Sequence, residues 1–206
     1  MTVFISFFST NGRYPGLARQ LIQSLEKHKL PNDIVQINNI SSWGEGCALK
    51  ASFILEKLLQ HRKPVIWLDI DTTVWKYPGL LFGEEDFAIY NWYADLNHHL
   101  EGMIEYNPDA TNLFCSGGVQ KWGYTAPAIE LLIRWIRAIH ESDKSKGDDP
   151  VLDYVFNKFQ PPVKPLWLPK TYNRMDKHTW HWQSVPLDQV VINHDYTAGQ
   201  HGLADC

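Results

Sequence analysis

The segment that most limits the fold is Val65-Ile66-Trp67-Leu68 followed by Asp69-Ile70-Asp71, with Pro64 directly before it. Four consecutive apolar residues without polar alternation are the pattern of a strand covered on both faces, as in a parallel sheet. A parallel sheet needs helical crossovers, and in such sheets ligands bind beyond the C-terminal ends of the strands. The acidic pair is expected at that position.

The flanking sequence supplies the crossovers. Val3 to Phe8 reads as a first strand ending in the turn-forming Ser9-Thr10-Asn11-Gly12. Tyr14 to Lys29 carries Leu17, Leu21, Ile22 and Leu25 at helical spacing, and Ile34 to Ile37 follows as a second strand. From Ala48, residues Ala51, Ile54, Leu55, Leu58 and Leu59 form one apolar helix face, with Lys50 and Lys57 off it. Later signals are less regular. Strands are predicted at Phe87 to Tyr90, Lys164 to Leu168 and Val190 to Asn193, a strand-turn at Leu113 to Val119, and helices at Pro127 to His140 and Asp149 to Phe159. The expectation is an α/β chain forming a single domain over residues 1–206, a Rossmann-like open mixed sheet flanked by helices.

Bulk properties narrow the function. A net charge of −4 gives no general attraction to nucleic acid or anionic membrane. No apolar run has the length of a membrane span, and the start lacks the basic region and cleavage site of a signal peptide, so a cytoplasmic home is expected (host cytoplasm for a viral protein) with no membrane partner. Cys47, Cys115 and Cys206 are too scattered for a disulfide framework and are expected to be reduced.

At a strand end, where the chain turns, carboxylates at i and i+2 can approach one divalent ion. Mg2+ or Mn2+ takes oxygen ligands and completes its shell with substrate phosphates, so Asp69 and Asp71 suit a nucleotide diphosphate whose departing charge meets a fixed cation.

The stretch from Ala48-Leu49-Lys50 through Val65 to Asp71 and on to Tyr77-Pro78 resembles the donor-binding half of the nucleotide-diphospho-sugar transferases with the GT-A fold, which carry their D-x-D motif in this place. Cys115-Ser116-Gly117-Gly118-Val119 is similar to the small-residue loop beside the donor sugar, and Asp148-Asp149 before Leu152 to Phe156 to the acidic helix start. His194 resembles the late histidine that completes the metal shell. The resemblance implies a GT-A-like domain, residues 1–90 binding the donor and residues 91–206 forming the acceptor side and metal-completing tail. It implies Mn2+ or Mg2+ on Asp71 and His194, with Asp69 facing the metal or the ribose. Thr10, Asn11, Tyr14 and Lys50 would line the nucleotide, and Ser116, Gly117 and Gly118 would let backbone approach the sugar. Asp149, with Asp148 beside it, would contact the donor sugar or the acceptor hydroxyl, as a general base if near enough. Where the family often has a glycine and then a phosphate-binding lysine, Gly199-Gln200-His201-Gly202 offers His201. The implied activity is a hexosyl- or pentosyltransferase using a UDP-sugar as the first expectation, with an intracellular protein, glycan or modified DNA base as acceptor. Trp92 and Tyr93 could stack such a base.

Two other readings stay open on the residues alone. Leu68-Asp69-Ile70-Asp71-Thr72-Thr73 also resembles the D-x-D-x-T nucleophile motif of haloacid-dehalogenase-like phosphatases, with Gly147-Asp148-Asp149 imitating their late acidic motif. His178, Trp180, His181 and Trp182 suggest a metal- or carbohydrate-binding module without turnover.

Overall fold

A computed structural model describes residues 2–38, 40, 42–95, 107, 109–142, 147–175 and 185–195. Strand β1 (Val3–Ser9) leads through helix α1 (Tyr14–Lys27) to β2 (Asn32–Ile37), and helix α2 (Trp43–His61) leads to β3 (Val65–Leu68) and β4 (Thr72–Val74). There follow β5 (Phe87–Asn91), β6 (Cys115–Trp122), α3 (Ala126–Glu141), α4 (Asp149–Phe159), β7 (Pro165–Leu168), β8 (Arg174–Met175) and β9 (Ile192–His194). The main sheet has the order β2-β1-β3-β6-β5-β7, and β4, β9 and β8 form a smaller sheet. Strands β1, β2 and β3 are mutually parallel, β5 is parallel to β7, and β6 runs against both of its neighbours. The expected α/β mixed sheet flanked by helices is therefore present.

Strand periodicity divides the core in two. Ile5, Val65, Trp67, Phe87, Ile89, Trp122 and Trp167 face the helices α2, α3 and α4. Phe4, Ile66, Leu68, Ala88, Val119 and Leu168 face α1 and the smaller sheet, with Val74 and Ile192. All four residues of β3 are buried, which is why its sequence shows no alternation. Trp122 and Trp135 stack with ring centroids 5.9 Å apart, tying β6 to α3.

Three features differ from expectation. Helix α2 begins at Trp43, five residues before Ala48, because Ser42 caps it by accepting a hydrogen bond from Glu45 N at 3.2 Å. Lys50 and Lys57, off the apolar stripe, are nevertheless buried, since each meets a carboxylate. The segment Ser116-Gly117-Gly118 lies inside an eight-residue buried strand rather than in a turn, for reasons of packing given below. No helix among the described residues is long and apolar enough to cross a membrane. Cys47 and Cys115 form no disulfide; Cys206 lies outside the described residues.

Loss of the α2 cap gives a direct test of this boundary. Ser42→Ala should lower unfolding free energy by about 1 kcal/mol in a urea titration monitored by circular dichroism, without changing the native spectrum.

Candidate metal and donor site

Because β6 is reversed, its first residues reach the same sheet edge as the last residues of β1, β3 and β5. Asp69 leaves β3 at this edge, where its N–H donates to Gly118 O at 2.8 Å and its own carbonyl accepts from Thr72 N at 3.0 Å and Thr72 Oγ1 at 2.8 Å. This tight turn brings Asp71 to the start of β4. Antiparallel pairing of β4 with β9 sets Thr72 opposite His194, and Asp195 N donates to Asp71 O at 2.9 Å.

His194 Nε2 lies 3.1 Å from Asp71 Oδ1 and 3.9 Å from Asp69 Oδ2. The three residues offer one ligand atom each, all within 4.8 Å of one another. Two carboxylate oxygens and one imidazole nitrogen suit a divalent ion such as Mn2+ or Mg2+, with further positions left for phosphate oxygens. Burial opposes charge on His194, but Asp71 and then Asp69 outweigh it and push its pKa up to about 9.

The other face of Asp69 belongs to α2 and α4. Trp67 Nε1 donates to Asp69 Oδ1 at 2.7 Å, and Lys50 Nζ lies 3.2 Å from the same oxygen and 2.7 Å from Asp148 Oδ2. Burial favours a neutral Lys50, yet Asp148, Asp69 and Asp149 keep its pKa well above the ordinary lysine value. Burial likewise raises the pKa of Asp69, and Lys50 and His194 reverse this to hold it below the usual carboxylate range. Asp149 has the opposite balance. Its Oδ2 accepts from Gly117 N at 2.9 Å, while Oδ1 is shut off from solvent and accepts nothing from the described residues. Burial, then the charge of Asp148, pushes its pKa up to about 7.

The two glycines of β6 explain why this segment is a strand. A Cβ at Gly117 would lie 2.1 Å from Asp149 Oδ1; one at Gly118 would lie 2.5 Å from His194 Nδ1 and 3.0 Å from Asn173 Oδ1. The space expected for a sugar's approach is filled here by protein side chains, one set on each face of the strand. Ser116 Oγ accepts from Asn173 Nδ2 at 2.9 Å.

Asp69, Asp71, His194, Lys50, Asp148, Asp149, Ser116, Gly117 and Gly118 are thus gathered at one place. Thr10 and Asn11 are exposed at the end of β1 on the same edge, outside the ion-pair cluster, and Tyr14 opens α1 against the second core. His201 and the segment of His178, Trp180, His181 and Trp182 lie outside the described residues. Sequence reading missed Asn173, fully buried beneath Ser116, and a buried group in which Lys170 Nζ lies 3.3 Å from Asp95 Oδ2 and Tyr90 OH donates to the same oxygen. Neither has a local pattern that could reveal it.

No protein-family model matches the sequence, and no curated protein matches it. Among solved structures, the chain resembles the crystal structure of a glycosyltransferase involved in the glycosylation of the major capsid of PBCV-1. The TM-score is 0.62 at 13% sequence identity, covering 99% of this chain and 98% of that one. At this identity the likeness establishes a glycosyltransferase-like fold.

Two titrations follow from these charges. His194 must lose its proton to bind a metal, so Mn2+ affinity measured by calorimetry should rise as pH increases from 6 toward about 9, with proton release detected as a buffer-dependent heat. Asp149 has a folded pKa above its ordinary 3.8. The folded protein therefore retains a proton that the unfolded chain releases, and stability falls as pH rises between about 4 and 7. Asp149→Asn keeps an acceptor for Gly117 N and should be more stable than wild type at pH 8, by on the order of a few kcal/mol, with the gap closing toward pH 4 in thermal melts.

Proposed function

We propose that this chain is a metal-dependent glycosyltransferase that moves a sugar from a nucleotide diphosphate sugar, a UDP-sugar first among donors, to an acceptor hydroxyl or amine. The observation that carries the reading is the convergence of Asp69, Asp71 and His194 at the C-terminal edge of a glycosyltransferase-like sheet. Mn2+ or Mg2+ held by these three residues would supply positive charge to the departing diphosphate.

The chain's own residues provide the rest. Lys50 fixes Asp69 against β3 and keeps it ionised, so its Oδ2 stays turned toward His194. Asp148 holds Lys50 from α4 and acts through it as a positioning residue. Asp149, whose Oδ2 accepts from Gly117 N and whose Oδ1 is closed to solvent, is assigned to positioning β6 beside the metal ligands. Thr10, Asn11 and Tyr14 line the nucleotide in this reading, and residues 1–90 bind the donor while residues 91–206 supply the acceptor side.

The phosphatase alternative fits less well. Its first aspartate must attack phosphorus, but Asp69 Oδ1 is engaged by Trp67 and Lys50 and Oδ2 faces His194. These partners suit a carboxylate that holds a cation.

A donor screen measuring nucleoside diphosphate release with Mn2+, Mg2+ or chelator tests the assignment. Release should depend on metal, and Asp71→Asn should reduce it by about 100-fold or more without changing the folded spectrum. Equal release by variant and wild type removes Asp71 from the mechanism.

A further inference from the structure

The start of β6 carries three successive features on one face. Gly118 abuts His194, Ser116 holds Asn173, and Phe114, two residues earlier, continues the same alternation while Leu113 and Cys115 turn into the core on the other side. Phe114 is 50% exposed and packs beside Tyr93, 58% exposed, with ring centroids 5.8 Å apart; Trp92 lies 6.2 Å from Phe114. The backbone that carries these rings is tied together: Asn91 Oδ1 accepts from both Tyr93 N at 3.1 Å and Phe114 N at 3.0 Å, and Asn91 Nδ2 donates to Asn112 O at 2.8 Å. Buried Asn91 thus ties the backbone of Tyr93, just beyond β5, to that of Phe114, just before β6.

Building on the transferase reading above, we propose that Trp92, Tyr93 and Phe114 form the acceptor subsite and that its occupant is a saccharide, stacked by a pyranose face on the exposed rings of Tyr93 and Phe114. Phe114 stands four residues before Gly118, whose Cβ position meets His194, so the rings and the metal ligands share the face that carries Ser116. Exposed aromatic rings are the chemistry that meets a sugar face, whose C–H bonds pack on aromatic carbon.

Charge selects the saccharide over a nucleic acid. Residues 91–95 and 112–114 contain no Lys or Arg, and their one acid, Asp95, is buried against Lys170. Nucleic-acid binding draws most of its affinity from cations on phosphate, and these two segments carry none. A neutral glycan needs no such cations.

The test uses the full chain on a glycan array and, with UDP-sugars and Mn2+, in assays of saccharide-stimulated uridine diphosphate release. Wild type should bind a subset of oligosaccharides. Tyr93→Ala and Phe114→Ala should each weaken that binding and raise the saccharide KM by about tenfold, whereas Tyr93→Phe restores both. Tyr154→Ala, an exposed tyrosine on α4, serves as the control and should leave saccharide binding unchanged. Unaltered saccharide binding in both alanine variants overturns the proposal, as does a wild type that binds no saccharide or prefers a single-stranded oligonucleotide. Saccharide binding through these rings with no uridine diphosphate release from any donor supports the surface while removing the transferase reading.

Discussion

A single buried ammonium makes the acidic edge of this sheet possible. Lys50 lies between Asp69 and Asp148, with Asp149 adding to its field, so α2, the end of β3 and the start of α4 share one cation. Without it, three carboxylates would meet in a setting where unpaired charge is costly. The lysine is therefore part of the reason that Asp69 can stay ionised and face His194 on its other side. An ion pair that breaks leaves its partner buried and charged, so all three elements depend on Lys50 remaining in place.

The second organising device is the pair of glycines in β6. One gives its side-chain space to Asp149 and the other to His194 and Asn173, so consecutive residues admit groups from opposite layers of the protein. Alternation of the strand then does the sorting: the Gly117 face receives the α4 carboxylate and the Gly118 face receives His194. Any side chain at either position would have to displace a polar group that the proposed chemistry uses.

Sequence alone carried the central part of this picture. An unbroken apolar strand followed by Asp69 and Asp71 was legible because burial on both faces leaves a pattern that needs no tertiary knowledge. His194 could be singled out only through resemblance, since its position opposite Thr72 is set by strand pairing across more than a hundred residues. The glycines of β6 suggested a turn because glycine is a local signal for turns, and only the packed Asp149 and His194 reveal why it was needed inside a strand. The start of α2 was written in Ser42-Trp43-Gly44-Glu45 as a capping sequence, but Gly44 and Gly46 obscured the helix that follows. The burial of Lys50 was not legible for a different reason: hydrophobic periodicity finds apolar burial and is blind to a lysine buried by its charge partners. Asn173 and the Lys170–Asp95–Tyr90 group were invisible on the same grounds, being defined by contacts distant in sequence.

The reversed strand also limits how the molecule can move. Residues Val65 to Leu68 of β3 pair directly with Val119 to Trp122 of β6, and β6 pairs in turn with β5. Strand pairing links the first strands to the last, with a register shift between Ile89 and Tyr90 of β5. Rotation of one half against the other would tear the ladder at its most buried point.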